Sequence, residues 1–291
     1  MLSKKQNTGI SILIVLIAIF IGIIKIYAAN VTEAKVNEAI AKAAHFADID
    51  YKKVSVDLLG MDVRISDILV SPVDSKEKLK IDEIVIYDID DKADIPTFLS
   101  MSCNGIELIL DELGEDAKLL RELGYNDKMM VNLNVNYAYN KEKKEIVIKN
   151  IGIGANEAGE INVSFRLGNI SLEPEEIAGL LFTFPQVIFH DAEIKYDDDS
   201  LAERLMKLGA EKRQISFEDL KKSLIENVET EIAKEKDDFT KKALSEIKAF
   251  LEDPREFSIS ASPEKPYPFG RIMRTDDPKD VIKLLNIQIK S

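Results

Sequence analysis

Few side chains in this sequence are spaced for chemistry, and each candidate has a plainer structural reading. His190 precedes Asp191, a pair that orients an imidazole for base catalysis when a Ser or Cys nucleophile stands beside it, yet no motif places such a nucleophile. Ser75-Lys-Glu-Lys78 and Ser245-Glu-Ile-Lys248 match the Ser-x-x-Lys spacing of acyl-transfer enzymes. The first falls in a polar loop, the second within a helix, and both lack the companion motifs. Gly152-Ile-Gly154 has neither the third glycine nor the following helix that a phosphate cradle needs, so it reads as a glycine-bearing strand. Asp197-Asp198-Asp199 offers oxygens for calcium without the alternating spacing of a calcium loop. Ahead of Ser200 it reads as an acidic helix start, favoured by the helix dipole. Two histidines, His45 and His190, argue against zinc, and the single Cys103 excludes an intrachain disulfide. Cys103 itself suits an apolar strand position as a small buried hydrophobe. No catalytic, metal or cofactor-binding residue is assigned, and the chain reads as a non-enzyme without cofactors.

The 291 residues are 45% hydrophobic and 31% charged, with a net charge of -13. That is too charged for a multi-span membrane protein and too apolar for a disordered one. Residues 1–30 carry three lysines and no acid, so the acidic excess lies in the body that follows. Such a body lacks the global field that draws proteins to phosphate backbones or anionic lipid headgroups, which argues against nucleic acid. Gly9 to Ile24 is an uninterrupted apolar run, with Lys25 and Tyr27 suited to the headgroup region. As a helix, residues 9–29 reach roughly 31 Å, enough for a hydrocarbon core of about 30 Å. Lys4 and Lys5 in the basic tail, residues 1–8, keep the N-terminus in the cytoplasm and send the rest across. A signal peptide cut after Ala29 is the competing reading; in both cases the body is exported.

The exported part, residues 30–291, reads as one α+β domain. Residues 30–48 form an amphipathic helix capped by Asn30, with Val36, Ile40, Ala43, Ala44 and Ala47 on one face. Residues 51–196 are β-rich and repeat a pattern of apolar-x-(Asp/Asn/Glu/Gly)-apolar-x-apolar, beginning at Ile65, Ile81, Cys103, Ile148, Leu167 and Phe189. Within each copy the period-two alternation slips by one residue. A bulge there keeps the apolar side chains on one face and adds twist, which curves an antiparallel sheet into a trough. Short helices are expected over Asp116–Leu123, closed by Gly124, and over Pro174–Leu181. Val131–Tyr139 alternates with asparagines as a strand with one wet face. Residues 199–252 form a helical insertion, with Ser200 as one cap and Ser216/Asp219 as a capping box. Residues 256–291 give strand, helix from Asp277-Pro278, and strand.

Tyr51-Lys-Lys-Val-Ser-Val56 and Val63-Arg-Ile-Ser-Asp-Ile68, following an amphipathic helix, resemble AsmA-like and YdgA-like bacterial envelope proteins. The C-terminal part resembles an uncharacterised proteobacterial group of anchored proteins. The resemblance there rests on Tyr196-Asp-Asp-Asp-Ser-Leu201-Ala-Glu-Arg-Leu205, Phe250-Leu-Glu-Asp-Pro254, Ser262-Pro-Glu-Lys-Pro-Tyr-Pro268 and Leu285-Asn-Ile287. The resemblance implies a bacterial inner-membrane anchor, a periplasmic body with a sheet wrapped beside a helix, and handling of lipids or outer-membrane components. It supplies no catalytic residues. The expected function is non-enzymatic binding of lipid or another apolar ligand in the trough, lined by Ile65, Ile68, Ile84, Ile86, Ile148 and Ile151. Two alternatives stay open: the same residues pack as ordinary core, or the protein is a scaffold that binds envelope proteins without a small ligand.

Overall fold

The computed structural model describes residues 47–57, 62–72, 78–90, 96–173, Glu176, Gly179 and 182–291. The expected membrane segment at 9–29, and most of the helices expected at 30–48 and Pro174–Leu181, lie outside the described residues. Among the described residues, no helix is long and apolar enough to cross a membrane. The fold is mixed α+β and dominated by antiparallel sheet. The contacts form two compact units, Met1–Arg121 with Tyr125–Ala138, and Glu122–Gly124 with Tyr139–Ser291.

The first unit contains β1 (Ala47–Asp50), β2 (Lys53–Val56), β3 (Val63–Pro72), β4 (Leu79–Ile89), β5 (Phe98–Ile109) and β6 (Lys128–Asn140), the last of which ends in the second unit. Both β1 and β2 pair with β3, then β4, β5 and β6 follow in order, all antiparallel. The helix expected to run through Asp48 gives way to strand at its end: Ala47 opens β1, opposite Pro72, and is buried. Ala47-Asp-Ile-Asp alternates, and pairing with β3 outweighs the helical preference of alanine.

The slip in the alternation takes two physical forms here. At the first two copies β3 and β4 each yield one residue, so pairing passes from Ser66↔Glu83 to Ile68↔Ile81 with register kept and Asp67 at φ 53°. At the third copy only β5 yields: Cys103 faces Leu133 and Ile106 faces Val131, a true bulge at Asn104-Gly105. The Gly105 N–H donates to Asn132 Oδ1 at 2.9 Å, and Lys52 pairs with Asp67 at 3.4 Å. One line of irregularity thus crosses the unit through Lys52, Asp67, Asp82, Gly105 and Asn132. Its effect is the expected one. Val63, Ile65, Ile68 and Val70 are all buried despite the odd step between 65 and 68, and so are Met101, Cys103 and Ile106. After β5, α1 (Ala117–Glu122) ends with Gly124 at φ 85° and the Tyr125 N–H bonded to the Leu120 carbonyl.

The second unit is built on β7 (Glu145–Ala155), β8 (Gly159–Gly168), β9 (Ile188–Asp198), β10 (Glu256–Ala261) and β12 (Ile287–Lys290), hydrogen-bonded in that order, with β11 (Tyr267–Pro268) also on β9. Between β9 and β10 come α2 (Leu201–Arg213), α3 (Phe217–Lys234) and α4 (Asp238–Glu252); α5 (Phe269–Ile272) and α6 (Pro278–Leu285) precede β12. Half of the expected capping box forms: Ser216 Oγ accepts from the Asp219 N–H at 3.0 Å, while the Asp219 carboxylate accepts from the Ser216 hydroxyl at 2.6 Å. Ser200 sits at the N-cap of α2 but caps nothing: its hydroxyl donates to the Glu157 carbonyl, and Asp198 accepts the Ala202 N–H instead.

Candidate apolar binding face

The bulges of the second unit decide which side chains share a face. In β7, Ile148 opposes Phe165 and Ile151 opposes Val163, so Lys149 and Asn150 together face one residue of β8. In β9 the extra residue is His190: Leu167 opposes Phe189 and Arg166 opposes Asp191. Directly opposed residues lie on the same face of an antiparallel sheet. Ile151, Val163, Ile194, Ile259 and Ile289 therefore form one row across β7, β8, β9, β10 and β12. Ile153, Ile161, Tyr196 and Phe257 form the next row. No charged residue stands in either. The opposite face carries the polar set, where Lys195 pairs with Asp197 and Glu256, each at 2.9 Å. Hydrogen bonds to Glu256 and then Asp197 raise the Lys195 pKa above its ordinary value.

This apolar face is open. Ile153 is 53% exposed, Ile161 48%, Ile194 52% and Ile259 43%. Phe250 of α4 covers one end, with ring centroids 6.4 Å from Tyr196 and 5.6 Å from Phe257. Contiguous exposed apolar surface on a folded protein marks a place where something binds.

The six isoleucines expected to line a trough divide differently. Ile65, Ile68, Ile84 and Ile86 belong to the packed core of the first unit, in contact with Val63, Val70, Ile81, Leu99, Met101 and Ile106. In the second unit Ile148 is buried and Ile151 half-buried. The open positions, Ile153, Ile161, Ile194 and Ile259, escaped the sequence reading although two of them end copies of the repeat. Alternation marks a face without saying what covers it.

The other chemical candidates separate into structural roles. Asp191 is held by Arg166 at 2.8 Å, while His190 Nε2 lies 3.7 Å from Glu145 Oε2, so the His190–Asp191 pair forms no dyad. Asp197 pairs with Lys195, Asp198 accepts from Tyr196 Oη at 2.6 Å and from Ala202 N, and Asp199 accepts from the Glu157 N–H at 2.9 Å. The three carboxylates thus serve four separate protein groups rather than converging on one site, and no metal-binding group occurs among the described residues. Gly152 and Gly154 lie in β7 opposite Asn162 and Glu160. Ser245 donates to the Lys241 carbonyl, and Lys248 pairs with Glu229 and Glu252. Ser75 lies outside the described residues.

Cys103 is buried on the core face of β5, and burial pushes its thiol up from 9.0 to about 12. We expect it to resist a disulfide reagent at pH 8 in the native chain and to react fully in denaturant; rapid native labelling would contradict its placement. The neutral thiol that folding requires is free of cost below pH 9, and its contribution is lost as pH climbs toward about 12.

A family model described as "Uncharacterized protein" matches residues 152–291, from within β7 to the C-terminus, and so spans the open isoleucines. The chain is 26% identical over 260 residues to an uncharacterized protein of Aquifex aeolicus (strain VF5), an alignment covering 83% of each chain.

Proposed function

We propose that this protein is a non-enzymatic, membrane-anchored envelope protein that holds an acyl chain or similar apolar ligand against the open face of its second unit. Residues 9–29 anchor it in the bacterial inner membrane, and the body works in the periplasm beside lipid, in the manner of the AsmA-like and YdgA-like proteins it resembles. One observation carries the reading: four isoleucines on adjacent sheet rows, each about half exposed, with no charge among them. A flexible chain laid across them gains roughly 25 cal/mol for each Å² of apolar surface removed from water, without needing any directed polar contact. The twist that bulges impart to the sheet favours an elongated occupant along the strands.

The test is saturable binding of a fluorescent fatty acid to the full chain held in amphipathic polymer. The wild-type chain should bind it, and Ile194→Asp with Ile259→Asp should weaken binding by at least about tenfold, because a carboxylate in an apolar contact is costly to desolvate. Absence of saturable binding by the wild type overturns the ligand reading. A protein that co-purifies with the wild type and is lost from the double variant would then favour the scaffold alternative.

A further inference from the structure

A second surface of the second unit uses none of the residues of the apolar face. Residues 265–275 contain Lys265, Arg271 and Arg274 and no acid, in a chain whose net charge is -13. Lys265 Nζ sits 5.9 Å from the ring centroid of Tyr267 and Arg271 Cζ 4.7 Å from it, while Arg274 Nε donates to the Gly270 carbonyl at 2.7 Å. Among the described residues, none of these three cations forms an ion pair with a carboxylate. Elsewhere in the unit, lysines and arginines such as Lys195, Arg166 and Lys248 have acidic partners.

The same segment, and the turn that packs on it, carry apolar side chains that folding leaves in water: Met273 is 66% exposed and Phe184 40%, and Phe182, two residues before Phe184, is 87% exposed. Their support is tight. Phe184, in the 3-10 turn Phe184–Gln186, stacks on Phe269 at 4.7 Å, and Phe269 meets the edge of Phe189 at 5.8 Å. The Phe269 N–H donates to the Val187 carbonyl. Gly270 comes so close to Pro185 that a Cβ would lie 2.9 Å from its carbonyl oxygen. The turn and α5 are therefore locked together, and the exposed tips project from a rigid base.

We propose that this end of the second unit rests on a bilayer surface carrying anionic headgroups. Phe182 and Met273 enter the headgroup layer, and Lys265, Arg271 and Arg274 face the phosphates. Charge complementarity selects this partner. Interactions fade over a Debye length of about 8 Å at physiological salt, so a surface in contact responds to these three cations and to the acids near them, Glu264, Asp276 and Asp277 among them, more than to the net charge of the whole chain. Asp277 is turned toward α6, where it accepts from the Lys279 N–H. Each basic residue near an anionic bilayer strengthens binding on the order of fivefold, and aromatic rings favour the same interface.

The chain has no tryptophan, so Phe182→Trp introduces a single reporter. The full chain carrying it would be reconstituted into vesicles of phosphatidylcholine with about 30% phosphatidylglycerol and brominated acyl chains. The introduced indole should emit at shorter wavelength than in water and be quenched by bromine. Quenching should fall at least about fivefold at roughly 0.5 M salt, in phosphatidylcholine alone, and in Lys265→Glu/Arg271→Glu/Arg274→Glu. The salt series needs only the Phe182→Trp chain and stands even where the triple charge reversal impairs folding. Aqueous, unquenched emission on anionic vesicles overturns the proposal, as does quenching indifferent to both salt and lipid charge.

Discussion

Placing alanine at Gly105 should cost the chain on the order of 3 kcal/mol of folding stability, from two additive causes. Gly105 has φ 67°, where an L side chain is strained by about 1–2 kcal/mol. A Cβ there would also stand 2.1 Å from Asp82 Oδ2, 2.5 Å from its Cγ and 2.7 Å from its Cβ. The near approach of Asp82 Cβ matters most, because rotating the carboxylate away does not relieve it and β4 itself must yield. Denaturant unfolding followed by circular dichroism would measure the loss. Asp82→Gly removes the three nearest of the clashing atoms and leaves the φ strain in place, so in that background the same alanine should cost about 1–2 kcal/mol. A cost below about 1 kcal/mol in the native background, or equal costs in both, would show that β4 and β5 do not approach as described.

Ile84→Ala and Ile86→Ala should each destabilise the chain by about 2–5 kcal/mol, whereas Ile194→Ala and Ile259→Ala should each cost under about 1 kcal/mol. Ile84 is 2% exposed and Ile86 fully buried, so truncation leaves a cavity. Ile194 and Ile259 are about half exposed, and water already reaches the volume they would vacate. Fatty-acid binding should rank the four in the opposite order among variants that remain folded. If truncating Ile194 proved as costly as truncating Ile84, the second face would be core, and the proposed ligand site would lose its basis.

These two pairs of residues also mark the boundary of what the sequence discloses. Ile84 and Ile194 stand in copies of the same short pattern, and the pattern correctly places each among apolar neighbours on one face. Exposure depends on what lies over that face, a property of distant chain segments that no local period encodes. The same limit appears at single residues. Ser216 and Asp219 are three apart, so the cap that the Ser216 hydroxyl gives the Asp219 N–H is a local event and legible. Ser200 looks equally able to cap, but its hydroxyl is taken by Glu157, a partner 43 residues away. The repeat marks Asp191 for the bulge in β9, yet the extra residue is His190, because β8 sets the register and Arg166 claims Asp191. The spacing of Ala47 suits a helix, and pairing with Pro72 makes it strand.

The line running from Lys52 through Asp67, Asp82 and Gly105 to Asn132 has a consequence for how such a chain can diverge. Loss of Asp67 alone would turn either Val63 and Ile65 or Ile68 and Val70 outward, because the odd step that aligns them would vanish. A matching loss at Asp82 would restore the pairing of β3 with β4, only to oppose a strand in which Gly105 still supplies its surplus residue. Length changes inside these strands are therefore tolerated only in concert, and descendants are free to drift in side-chain identity long before they can drift in residue count.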